Sequence, residues 1–383
     1  MRKFNILLLV LYIISPLLIS ISLLYFNVRF YISEFLFVSI LSLYFFTKRM
    51  DINKDVFMFF IFFIFFICWV FSSVFYTESN EYFYEKVIYT INVVFCLFFL
   101  FYEDFVSIKR SVYHSCLAII LLGGFYFYIY ASYISGGGVY NNLEILKGLY
   151  LNFGLITGLL FLCLYFWFEK NAFILLILVI LYVYLLFSGA RGPLVIVSLM
   201  IFFDLLSKGN IKEKVYLLFS MVFIGFFLIY IANSNIDIPV LDRTLERLSL
   251  LVSDDKGGSI NTRLDYIDKS IHHINESVLL GHGYGSYGIV AYNSDTRLYP
   301  HNIILEVWFE LGLLGVFLLL IILLYPFYLF FLYRRQKSFR FLVPYLYLLF
   351  NSLKSNTLTD HKLLFFFLVV SILYLINREK NND

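Results

Sequence analysis

Long apolar runs set the terms on which this chain can fold. Residues 4–26, 56–74, 149–168 and 172–187 each pass without one charged side chain. Runs of this kind approach or reach the roughly 20 apolar residues that a helix needs to cross a hydrocarbon layer. The whole chain is 61% hydrophobic and 14% charged, against about half apolar and a quarter charged in ordinary soluble chains. A soluble domain of 383 residues cannot hide that much apolar surface. The expected class is an all-α polytopic membrane protein.

Hydropathy predicts spans near 4–26, 30–47, 56–75, 87–102, 112–134, 149–168, 172–188, 193–206, 215–233, 303–333, 341–353 and 362–376, about twelve transmembrane helices in all. The first is too long for a signal peptide and lacks a small-x-small cleavage site, so it reads as an uncleaved span. The last but two is too long for one upright crossing, which predicts tilt or extension beyond the bilayer. Basic residues set the orientation. With both termini cytoplasmic, Arg2, Lys3, Lys48, Arg49, Lys54, Lys109, Arg110, Lys170, Lys208, Lys212, Lys214, Arg334, Arg335, Lys337, Arg340, Arg378 and Lys380 fall inside. The short outer segments keep a scattering such as Arg29, Lys86 and Lys147. That asymmetry satisfies the positive-inside rule. The net charge of +3 carries little information about partners in such a protein.

The chain reads as one membrane domain, 1–383, with one large outer loop at 233–300. Leu241, Leu245 and Leu248 repeat at helical spacing in it, with Arg243 and Arg247 on another face. Leu264, Ile267, Ile271 and Ile274 repeat likewise. Both predict amphipathic helices on the membrane surface or over a cavity. Residues 253–259 read as a flexible linker between them. Cys68, Cys96, Cys116 and Cys163 all lie in apolar runs, without zinc-site spacing, and read as buried filler.

Three places outside the spans carry chemistry that anchoring alone does not require. In Ser188-Gly189-Ala190-Arg191-Gly192-Pro193, the glycines allow a sharp turn and Pro193 suits the first turn of the next helix. Arg191 then sits at a helix N-terminus, which favours an anion. A guanidinium snorkelling to the headgroups explains it equally well. In Asn261-Thr262-Arg263-Leu264-Asp265, Thr262 and Asp265 resemble a capping box that starts a helix at Arg263. Arg263 can grip a diphosphate with paired hydrogen bonds; an ordinary exposed arginine is the competing reading.

The third place runs from Gly281-His282-Gly283-Tyr284-Gly285-Ser286-Tyr287-Gly288 to Tyr299-Pro300-His301-Asn302. No strand precedes the glycines, so this is no dinucleotide fingerprint. It predicts a tight re-entry of the loop towards the membrane, with Asn302 a possible helix cap. Asn302, Glu306 and Glu310 lie four apart and share one helix face, where carboxylates need a polar cavity or partners. His301 at its mouth has the pKa range of a general base. His272, His273 and His282 read as structural. Tyr284 and Arg247 join Asn302, Glu306 and Glu310 as candidate substrate contacts. The pairs Asp254–Asp255 and Asp265–Asp268 read as solvated, and no metal or other cofactor is called for.

These residues together resemble the O-antigen ligase and O-antigen polymerase superfamily. The most specific element is His301-Asn302, nine residues, Gly312, two residues and Gly315, which is similar to the histidine pattern of the ligases. The motifs cover about 150–330, the topology the whole chain. The resemblance implies a GT-C-like glycosyltransferase of the bacterial inner membrane, independent of metal, acting on the periplasmic face on an undecaprenyl-diphosphate-linked glycan. It implies that Arg191 and Arg263 bind the diphosphate and that His301 is the catalytic base. A ligase would use lipid A-core as acceptor; an O-antigen or capsule polymerase would use a lipid-linked repeat unit. Membrane lipids are the only other partners expected, and nucleic acid is not one. A transporter or flippase of lipid-linked sugar is the competing class. It predicts repeated halves, broken helices and several deep charges.

Overall fold

The computed structural model describes residues 2–26, 54–97, 99, 105–134, 143–208, 258–333 and 339–380. Every regular element among them is helical: α1 (Arg2–Phe26), α2 (Lys54–Ser72), α3 (Tyr82–Cys96), α4 (Phe105–Ile134), α5 (Leu143–Trp167), α6 (Ala172–Phe187), α7 (Arg191–Lys208), α8 (Gly258–Ile274), α9 (Tyr287–Tyr292), α10 (Ile303–Leu332), α11 (Phe339–Ser352) and α12 (Lys362–Lys380). Among the described residues, 5 helical stretches are long and apolar enough to span: Ile6–Leu24, Lys54–Phe75, Phe105–Ile129, Gly148–Trp167 and Ile303–Leu332. Ala172–Phe187 and Lys362–Ile376 are shorter apolar helices. This is the architecture of a multi-pass membrane protein, since only helices and closed barrels satisfy their own backbone in lipid. The spans expected at 30–47 and 215–233, and the amphipathic helix carrying Arg243 and Arg247, lie outside the described residues.

The chain divides into two units. One holds α5, α6 and α7 with most of α1 and α4. There α6 starts on Asn171, whose side chain accepts from the Ile174 N–H at 2.8 Å, and both α6 and α7 pack on α5. The other unit holds α2, α3 and α8 to α12. Its axis is α10, which packs against α2, α8, α11 and α12.

α10 is not one straight rod. Its uninterrupted hydropathy predicts a long span that tilts or extends beyond the bilayer; within that span the helix breaks at Gly312 (φ 65, ψ −169). The break frees backbone groups that lipid cannot satisfy, and the protein satisfies them itself. The Phe309 carbonyl accepts from the His282 N–H at 2.9 Å, the Glu310 carbonyl from the Gly283 N–H at 2.8 Å, and the Leu311 carbonyl from the Trp69 indole at 2.9 Å. In return, the Leu313 N–H donates to Val278 at 2.9 Å. Within this unit the glycine run thus reaches the break in α10 and supplies two of its donors. A Cβ on Gly312 would lie 2.1 Å from the Leu279 carbonyl oxygen, and one on Gly283 would lie 2.2 Å from Thr77. No side chain fits at either point.

α8 departs from its expected start and face. It is already helical at Gly258, so Thr262 and Asp265 lie within the helix and form no capping box. Asp265 instead accepts from the Tyr292 hydroxyl at 2.7 Å. The apolar stripe also splits: Ile274 is buried, but Leu264 and Ile271 are 54% and 51% exposed. The face turned inward carries Arg263, Tyr266, Ser270 and Ile274, because tyrosines 287 and 292 of α9 pack on Tyr266.

Candidate active site

His301 sits in the turn that enters α10, with a left-handed backbone (φ 59). Asn302 caps the helix as the sequence predicts: its side-chain oxygen accepts from the N–H groups of Ile304 and Leu305 at 2.9 and 3.2 Å. The His301 ring lies parallel to Tyr266 (5.7 Å between centroids, 5°) and edge-on to Tyr299 at 4.5 Å. Tyr266 is itself fixed, since its carbonyl accepts from Tyr287 at 2.9 Å and Ser270 at 2.6 Å. The imidazole is thus held by aromatic contact, and its buried Nδ1 has no hydrogen-bond partner among the described residues.

Arg263 lies three residues before Tyr266, hence on the same side of α8. Burial first, and then the positive charge of Arg263, push the His301 pKa down to about 4, with Asp360 opposing weakly. Both causes disfavour imidazolium. At neutral pH His301 is an uncharged base beside a fixed cation. Arg297 in the same loop is neutralised: its guanidinium meets both Asp360 oxygens at 2.6 and 2.8 Å, which keeps its pKa above the ordinary range.

Glu306 and Glu310 do share a face, and the partner they require is Lys86. Its ammonium lies 2.6 Å from Glu306 and 2.6 Å from Glu310, with all three side chains 0–1% exposed. Glu306 also accepts from the Thr357 hydroxyl and from the Leu358 N–H at 2.9 Å. Lys86, expected in an outer connection, belongs to α3 and lies 4.6 Å from the Tyr284 ring. Tyr284 is fully buried, its hydroxyl 2.6 Å from that of Thr90. These groups form an ionic core beneath the His301 turn. The Asn302 amide nitrogen, for its part, donates to the Leu353 carbonyl at 2.9 Å.

Arg191 belongs to the other unit, as the first residue of α7. Gly189 makes the preceding turn with φ 74. The Ser188 hydroxyl accepts from the Ala190 N–H at 3.2 Å, and the Ser188 carbonyl from Tyr126 at 2.9 Å. Gly154 of α5 leaves room for Ala190: a Cβ there would lie 2.3 Å from it. Arg247 lies outside the described residues.

Residues 172–320 match the family model described as O-antigen ligase. Over this stretch the chain matches the O-antigen ligase and polymerase superfamily, a group of glycosyltransferase-like membrane enzymes. No curated protein matches the chain. The O-antigen ligase segment takes in Arg191, Arg263, His301, Gly312 and Gly315. Lys86 and the connection at 353–361 fall outside it. One cluster of possible metal ligands occurs among the described residues, His272, His273 and Glu276. His272 is 75% and Glu276 52% exposed. His282 is structural in form, its Nε2 2.9 Å from the His273 carbonyl.

Proposed function

We propose that the chain transfers a glycan from undecaprenyl diphosphate to an acceptor hydroxyl on the periplasmic face of the inner membrane, as an O-antigen ligase with lipid A-core as acceptor. The observation that carries this reading is the His301 imidazole held between Tyr266 and Tyr299 at the mouth of α10, where burial and the charge of Arg263 disfavour its protonation. His301 takes the proton from the acceptor hydroxyl. The oxygen forms its bond to the sugar carbon as the bond from that carbon to the diphosphate breaks, with inversion. Arg263 stabilises the charge that gathers on the departing diphosphate, and no metal is needed. Glu306, Glu310 and Asn302 support the turn that presents His301, and Tyr284 packs beneath it.

Transport is the weaker reading. The one broken helix among the described residues has its freed carbonyls taken by protein donors, and its two carboxylates are taken by Lys86. Neither is left to coordinate a cargo. The test is reconstitution of the full chain with a lipid-linked glycan and each candidate acceptor. Transfer to lipid A-core supports the ligase; transfer to a second lipid-linked repeat unit moves the assignment to polymerase. Transfer at wild-type rate by His301→Ala sinks both.

A further inference from the structure

Where α8 runs out, three side chains turn their donor atoms towards one point. His272 Nε2 lies 3.9 Å from one Glu276 oxygen, and His273 Nδ1 lies 2.8 Å from the other. All the donor atoms fall within 4.8 Å of one another. The local chain explains how they meet. Glu276 follows His272 by four positions and His273 by three, spacings that bring side chains to one side of a helix. The helix ends at Ile274, and the Glu276 N–H folds back onto the His273 carbonyl at 3.0 Å. His273 is also held from behind: its ring packs edge-on to His282 at 6.2 Å and to Phe309 at 6.1 Å.

The C-terminal end of a helix carries the negative pole, which suits histidines and disfavours a carboxylate. Glu276 is therefore not explained by the helix end, and a cation shared with the two imidazoles offsets its charge. The distances fit a small transition ion. Ligand atoms around tetrahedral zinc, with bonds of about 2.0–2.1 Å, stand about 3.3 Å apart. The two separations from Glu276 lie on either side of that value. His272 and Glu276 are exposed, so their side chains can close the remaining gap by rotation alone. Two imidazoles and one carboxylate, with water to complete the set, suit zinc better than magnesium or calcium.

We propose that His272, His273 and Glu276 bind a zinc-class divalent cation, which clamps the end of α8 to the turn that follows it. That turn has partners of its own. The carbonyls of Ser277 and Val278 accept from the N–H groups of Gly281 and Leu313 at 3.0 and 2.9 Å, and His282 Nε2 lies 2.9 Å from the His273 carbonyl. The ion thus braces the stretch that joins α8, which carries Tyr266, to the break in α10. His301 is not among its ligands, so the ion is structural and stands apart from transfer.

The test uses the full chain without a polyhistidine tag in phosphatidylcholine nanodiscs, titrated with zinc chloride in a calorimeter. A single saturable site should appear. His272→Ala and Glu276→Gln, both at exposed positions, should each weaken zinc binding about tenfold or more, and the double variant should lose it. Magnesium chloride should give no saturable binding, since that ion prefers oxygen ligands. Zinc should also raise the unfolding midpoint of the wild-type chain and leave that of the double variant where it was. His301→Ala should bind zinc as the wild type does. Zinc affinity unchanged in the double variant overturns the inference. So does loss of binding in His301→Ala, which would put the ion at the catalytic histidine. Binding with no rise in the midpoint removes the clamp, and no saturable binding by the wild-type chain removes the site.

Discussion

A histidine in a left-handed turn is an uncommon backbone choice, and at position 301 it places the imidazole between Tyr266 and Tyr299. The consequence is chemical. A ring buried against tyrosines and faced by Arg263 resists protonation down to about pH 4, so it is available as a base throughout the neutral range. The folded pKa is below the ordinary histidine value, so the base is lost only as pH falls through about 4. The acid limb of kcat/KM for transfer should therefore lie near that value. Arg263→Gln removes one of the two causes, so the limb should move up towards 6.5 while donor affinity falls. An acid limb already near 6.5 in the wild-type chain would remove His301 as the group titrating. His301→Ala should cost roughly 10² to 10⁴-fold in turnover without loss of protein from the membrane. At this scale the sequence was informative: His301 and Arg263 stand out by type and spacing. The capping role of Asn302 was also legible. The stacking of Tyr266 on His301 was not, because nothing local pairs two rings from separate elements.

Elements reveal what single residues conceal, and α10 and α3 are the clearest case. Periodicity put Glu306 and Glu310 on one face and required a partner for them. It could not name Lys86, which is more than 200 positions earlier and reads locally as an outer-loop cation. Likewise, hydropathy runs unbroken through Gly312, because leucines flank the break on both sides and its carbonyls are satisfied by residues from other elements. Lys86→Met should be strongly destabilising, by about 3–5 kcal/mol, since it leaves two carboxylates buried without their cation. The loss would appear as a lower unfolding midpoint in detergent. The triple variant Lys86→Met, Glu306→Gln, Glu310→Gln should recover much of it, because no unpaired charge remains. Equal midpoints for Lys86→Met and wild type would mean that the ammonium does not hold these carboxylates. Gly312→Ala should also destabilise, with the added methyl driven against Leu279 at a positive φ.

On the scale of the whole molecule, the basic residues make a prediction that helix content alone does not. If the termini face the cytoplasm, the entrance of α10, the connection at 353–361 and the turn at 76–81 all lie on the opposite face. Within their unit the hydrogen bonds agree, because Asp295 accepts from the N–H groups of Asn80 and Glu81 at 2.8 Å while Asp360 holds Arg297. Two connections far apart in sequence are thereby fastened to the loop that enters α10. Single cysteines at Ser294 and Ser355, in a chain whose Cys68, Cys96, Cys116 and Cys163 are replaced by alanine, should react with a membrane-impermeant maleimide in cells with only the outer membrane opened. A cysteine at Ser207 or Lys170 should react only once the inner membrane is breached. Reversal of that pattern would put His301 in the cytosol, where no acceptor of the proposed kind waits. Labelling at Ser294 but not at Ser355 would separate connections that share the same hydrogen-bonded corner, and the arrangement around α10 would then be untenable.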